Sequence, residues 1–168
     1  SLSHNVNFKF IFSDFTSNTN VYYNENKLTN ENLLNQNYFI KKKGVDLELL
    51  TSCKNLRPSI FMSFFQKENK SSVKDLNGLK LSSKLVLTKK NGFLINANLT
   101  FYHIKYSGEL NNPISYQMLD GLMPGNGIKW GVIINKKINT LVFSIKYSGE
   151  INSYNDIHHA QIEFKKYF

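Results

Sequence analysis

The chain has 168 residues, a hydrophobic fraction of 41% and a net charge of +9 carried almost wholly by lysine. Its single cysteine, Cys53, excludes an internal disulfide or a multi-cysteine metal site, and no apolar run approaches the ~20 residues of a transmembrane helix. The lysines are scattered and Arg57 is the only arginine, which argues against nucleic-acid recognition, since bidentate contacts to phosphate and guanine draw on arginine.

Thirteen Phe and nine Tyr favour strands, while the abundant Asn favours turns and polar connections. Neither a signal peptide nor an initiator Met opens the sequence, which fits a mature processed protein or a segment of a longer one. The expectation is a single domain, or barrel segment, over residues 1–168.

Period-two alternation recurs along the chain and predicts eight strands. The first places Val6, Phe8, Phe10 and Phe12 opposite Asn5, Asn7 and Lys9. The second sets Val45, Leu47 and Leu49 against Asp46 and Glu48. "SIFMSFFQ" is apolar on both faces. Leu79, Leu81, Leu85 and Leu87 then oppose Lys80, Ser82 and Lys84, and the odd positions from Phe93 to Phe101 oppose Asn96, Asn98 and Thr100. Ile128, Trp130, Val132 and Ile134 form the sixth stripe, and Leu141, Phe143, Ile145 and Tyr147 the seventh. The eighth strand runs from about Ile157 to Phe168, with Ala160, Ile162 and Phe164 in phase.

Between these strands, long and short polar connections alternate: "SDFTSNTNVYYNENKLTNENLLNQN", "CKNLRP", "KENKSSVKDLNG", "KNG", "SGELNNPISYQMLDGLMPGNG", "NKKIN" and "SGEINSYND". "KNG" carries the Asn-Gly signal of a tight hairpin. In an antiparallel meander, alternate connections fall at opposite ends, so one rim carries tight turns and the other long loops. That asymmetry is typical of transmembrane β-barrels. The expected fold is therefore all-β, an antiparallel up-and-down transmembrane barrel of about eight strands, closing alone or forming the last eight strands of a larger barrel.

Alternation alone does not say which face is outside, because a soluble barrel that binds an apolar ligand reverses the pattern. Strands long enough to cross a bilayer, and polar stripes holding charges of both signs, favour the membrane case. Lys9, Asp46, Glu48, Lys80, Lys84, Lys146 and Glu163 are then interior, pairing across a barrel too narrow for an open pore. "IKYSGE" occurs at 104–109 and 145–150, each time where a strand enters a loop, so Tyr106 and Tyr147, with Trp130, are expected in an aromatic girdle. Keeping Tyr106 in the outward phase requires a β-bulge near Tyr102–His103. In the long loop, Met118, Leu119, Leu122 and Met123 form an apolar cluster that needs covering, by the barrel mouth or by a partner.

Chemistry-bearing motifs are sparse. His158 and His159 are adjacent strand residues facing opposite ways, so they cannot share a metal. No spacing links His103 or His159 to a serine and an acid as a hydrolase triad, and Cys53 reads as an isolated thiol. Catalytic residues, metal and cofactor are all expected to be absent.

The final third resembles the C-terminal end of large outer-membrane β-barrel proteins of the Bacteroidota. The matching residues are Tyr116, Met118, Leu119, Asp120, Gly121, Leu122, Gly125, Trp130, Ile157, His158 and Phe168. Lys165, Lys166 and Tyr167 depart from the family's ending of Arg followed by small and aromatic residues. The resemblance implies residence in the outer membrane of a Gram-negative bacterium; the loop asymmetry and eight strands then give long loops extracellular and both termini periplasmic. Ala160, Ile162, Phe164 and Phe168 resemble the C-terminal signal read by the outer-membrane assembly machinery.

The functional expectation is a non-enzymatic anchor or subunit of an outer-membrane complex for export, assembly or surface attachment. Its expected partners are outer-membrane lipid and lipopolysaccharide, the assembly machinery during insertion, and other outer-membrane or surface proteins through its apolar loop. Two alternatives compete with it: a lipid A-modifying outer-membrane enzyme, and the soluble periplasmic barrel binding an apolar ligand.

Overall fold

A computed structural model describes residues 2–28, 38–70, 74–89, 91–110 and 113–166. They form one antiparallel sheet of nine strands paired strictly in chain order. The strands are β1 (Leu2–Phe12), β2 (Phe15–Leu28), β3 (Tyr38–Thr51), β4 (Leu56–Asn69), β5 (Lys74–Lys89), β6 (Phe93–Tyr106), β7 (Gly125–Ile138), β8 (Leu141–Asn152) and β9 (Asp156–Lys166). One short helix, α1 (Pro113–Leu119), lies between β6 and β7.

The count is nine rather than eight because the first Asn-rich connection contains β2. This strand pairs with β3 along its whole length and with β1 from Phe15 to Glu25. Its outward positions include Ser17 and Thr19 where other strands carry Leu or Phe, so its alternation is weak in composition though complete in geometry.

The rule for the connections also changes. The turns at Ser13, Lys54, Gly92 and Asn139 share one rim, and each contains a residue with positive φ, as sharp reversals require. The opposite rim is mixed. Residues 107–124 make a long excursion there, but β8 and β9 are separated only by Ser153–Asn155. The strand end Lys67–Asn69 has the composition of a loop because both of its faces are polar at that level.

The odd strand count also corrects the termini. β1 and β9 both run from the loop rim to the turn rim, so Leu2 and Lys166 lie at opposite ends of the sheet and not both on the periplasmic side.

The register decides which face is apolar. Phe8, Phe10, Leu47, Leu49, Ile60, Phe64, Leu79, Leu81, Leu85, Leu99, Phe101, Ile145, Ile162 and Phe164 are all exposed, and all share the face opposite α1. Charged side chains in this outward phase occur only near strand ends. Glu25, Lys41, Lys43, Glu68, Asp75 and Lys105 flank the loop rim, while Lys89, Lys136 and Lys166 flank the turn rim. Runs such as Leu79–Leu87 and Phe93–Phe101 cover roughly 20–25 Å at a tilt of about 40°, close to the height of the apolar band of an outer-membrane barrel. A soluble barrel with an apolar interior would bury this face, so that alternative does not fit.

Candidate functional site

The inward face combines a polar wall with one apolar landing site, where α1 docks. Pro113 opens the helix at a position that needs no amide donor. Asp120 and Gly121, both at positive φ, end it, and the Leu122 amide donates to the Leu119 carbonyl at 3.0 Å. Ser115 donates to the Leu110 carbonyl at 2.7 Å, tying the helix to its own lead-in.

Met118 and Leu119 are buried against Ile40, Leu76, Tyr102 and Ile104, with Tyr38, Phe65, Tyr106, Ile114 and Leu122 around them. Lys67, only 3% exposed, reaches the Asp120 carboxylate at 2.6 Å and the Gln117 carbonyl at 3.3 Å; Lys42 approaches the same carboxylate at 3.7 Å. The loop is thus held by an apolar contact on one side and an ionic latch on the other.

This docking corrects two expectations. Met118 and Leu119 are covered by the chain's own sheet and are not available to a partner. Leu122 also packs against this core, and Met123 follows it, partly buried. Tyr106 pairs with Leu76 on the inward face, and β6 keeps an unbroken register with β5 and β7, so there is no bulge at Tyr102–His103. Ile104 and Tyr106 are apolar in the inward phase because α1 lands on them.

Tyr147 and Trp130 do face outward. The His158 ring packs edge-on to Trp130 at 5.4 Å between centroids and stacks on Tyr147 at 6.1 Å. The Tyr147 hydroxyl lies 2.8 Å from His158 Nδ1, and Asp156 lies 2.9 Å from Nε2. A Cβ at Gly149 would fall 2.3 Å from Trp130, so the missing side chain is what lets the indole lie across β8. Sequence reasoning missed the part His158 plays here.

Lys9, Asp46, Glu48, Lys80, Lys84, Lys146 and Glu163 all lie in the inward phase. Lys146 and Glu163 pair at 3.4 Å on neighbouring strands, and Lys165 meets the same carboxylate at 2.9 Å. Asp46 accepts from Ser63, and Glu48 accepts from the Asn18 amide at 3.1 Å. Lys129 and Glu150 pair at 2.8 Å, and the Tyr102 hydroxyl donates to Glu150 at the same distance. Beside Asp120 and Leu122, just after α1, a cavity of about 530 Å³ is lined by Tyr22, Lys42, Asp46, Lys80 and Lys129, among others.

Ala160, Ile162 and Phe164 face outward on β9, while Phe168 lies outside the described residues. Among the described residues, no three His, Cys, Asp or Glu side chains converge as metal ligands would.

No family model and no curated protein matches the sequence. Among solved structures, the chain is similar to OmpT, an outer membrane protein of Vibrio cholerae in its in-vitro folded trimer form. The TM-score is 0.63 at 8% identity, covering 98% of this chain and 52% of that one. The fold is that of an outer-membrane β-barrel. At such low identity the likeness concerns architecture alone, and the present chain spans about half the length of the chain it matches.

Proposed function

We propose that residues 1–168 form part of the wall of an outer-membrane barrel and act without catalysis, as an anchor or subunit of an outer-membrane complex, with the loop rim extracellular. The observation that carries this is the uncharged outward band, bounded by charged side chains at both strand ends. In water, such a continuous exposed apolar face would drive aggregation; in a bilayer it is the surface that lipid covers.

The unpaired edges support membership of a larger barrel. No pairing joins β1 to β9 among the described residues. Because the two run the same way, a direct seam would be parallel, and an all-antiparallel closure takes an odd number of additional strands between them. A second copy in the same orientation would also meet β9 with a parallel β1, so it does not complete the wall in antiparallel fashion. On this reading the wall belongs to the larger of the two barrels expected from the sequence, rather than to a narrow one that closes alone.

The test of membrane residence uses Trp130, the one tryptophan in this sequence, which faces outward. In vesicles containing brominated lipid, the full protein should lose fluorescence that its Trp130→Phe variant lacks. An unquenched Trp130 in folded protein defeats the proposal. Extraction from native membranes in mild detergent tests the second half: stoichiometric companions support a subunit role, and a lone chain refutes it.

A further inference from the structure

We infer that the inward wall lines a water-filled passage that favours small inorganic anions over cations. The inference rests on the proposed membrane barrel and adds a transport property to it.

It begins with a charge imbalance that the register makes visible. In the inward phase, basic side chains outnumber acidic ones by about two to one. The acidic groups are already engaged. Asp120 is held by Lys67 and Lys42, Glu150 by Lys129, and Glu163 by Lys146 and Lys165. Asp46 and Glu48 accept from neutral neighbours. Five cations remain with no carboxylate within 4.0 Å among the described residues: Lys9, Arg57, Lys80, Lys84 and Lys137.

Their positions matter as much as their number. Lys80 and Lys84 stand on β5 in the middle of the wall, two inward positions apart. Across from them lie Ser63 and Ser59 on β4, and Tyr102 and Asn98 on β6, none of which neutralises a charge. Arg57 and Lys137 lie nearer the turn rim. The same surplus runs from mid-wall to one mouth.

Unpaired lysines facing a dry, filled interior would lose their hydration with nothing in return. Facing water, they keep it and create a positive potential along the passage. No pairing joins β1 to β9 among the described residues, and on the proposed reading the sheet lines a wider barrel than one that side chains fill. The loop that follows α1 lies over the same wall, where Asp120 and Leu122 line a cavity together with the unpaired Lys80.

The test is the purified full-length protein in a planar bilayer under a KCl gradient. The expected reversal potential lies on the chloride side of zero. Lys80→Glu combined with Lys84→Glu should lower the chloride-to-potassium permeability ratio by about threefold or more, because lumen charge sets selectivity. Lys80→Gln with Lys84→Gln should give a smaller drop in the same direction. A cation preference in the unmodified protein, a ratio that neither variant moves, or an absence of conductance from protein whose Trp130 is quenched by brominated lipid would each overturn the inference. Protein with unquenched Trp130 would overturn the membrane proposal as well, so the two failures are distinguishable.

Discussion

Replacing Asp120 by Asn should unlatch the loop helix while leaving the barrel wall intact. The carboxylate sits 2.6 Å from the Lys67 ammonium, which is 3% exposed and has the Gln117 carbonyl as its other partner. Removing one member of a fully buried ion pair costs about 3–5 kcal/mol, because the other charge is left without compensation. Here Asp120 is 53% exposed, so water can follow into the gap and offset part of that cost. A value of about 2–3 kcal/mol remains, equivalent to roughly a 30- to 150-fold rise in the open population. The assay is thiol labelling at Ser115→Cys, a near-isosteric change at a fully buried position, in a Cys53→Ser background that removes the exposed native thiol. Labelling by a charged maleimide should accelerate by that factor in Asp120→Asn. Adding Lys67→Met should recover most of the lost protection, since it removes the stranded charge. An unchanged labelling rate, or a double variant as open as Asp120→Asn alone, refutes the latch.

Leu81→Lys, in the outward phase at mid-strand, should destabilise the membrane-inserted protein by about 2–4 kcal/mol, whereas Ser82→Lys on the inward face should change it little; denaturant titration in lipid vesicles compares them. Met118→Ala removes a fully buried side chain from the docking core and should cost about 2–5 kcal/mol of loop stability, read by hydrogen exchange across α1. Gly149→Val should displace the Trp130 ring, visible as a shifted emission maximum, because its Cβ would also meet the Ile157 carbonyl oxygen at 2.9 Å. Asn139→Val in the β7–β8 turn forces a β-branched residue into positive φ and should lower stability by about 1–2 kcal/mol in the same titration.

Most strands were readable because burial demands differ on the two faces, and that difference repeats every second residue. The inward charges were legible for the same reason: Asp46 and Glu48 alternate with Val45, Leu47 and Leu49 on one strand. Legibility failed where the two faces resemble each other. β2 has Ser17 and Thr19 outside and Asn18 and Asn20 inside, so composition hides its pleat. Tyr106 failed for the opposite reason. Its inward position is apolar because a helix from a distant loop covers it, a tertiary fact with no local trace. The apolar residues of that loop announced that they needed a cover, but not which surface supplied it. His158 joined the aromatic cluster only through a cross-strand neighbour, since Gly149 lies opposite it and Trp130 opposite Gly149.

Among the described residues, each strand in this sheet pairs only with its neighbours in the chain. Such local wiring has a kinetic meaning. Loop-closure entropy is lowest for neighbouring segments, so hairpins can add one at a time, each templated by the last strand laid down. Until the final seam forms, the growing edge stays unsatisfied and adhesive. For the proposed barrel, the most hazardous moment is therefore the interval before the edges of β1 and β9 are covered.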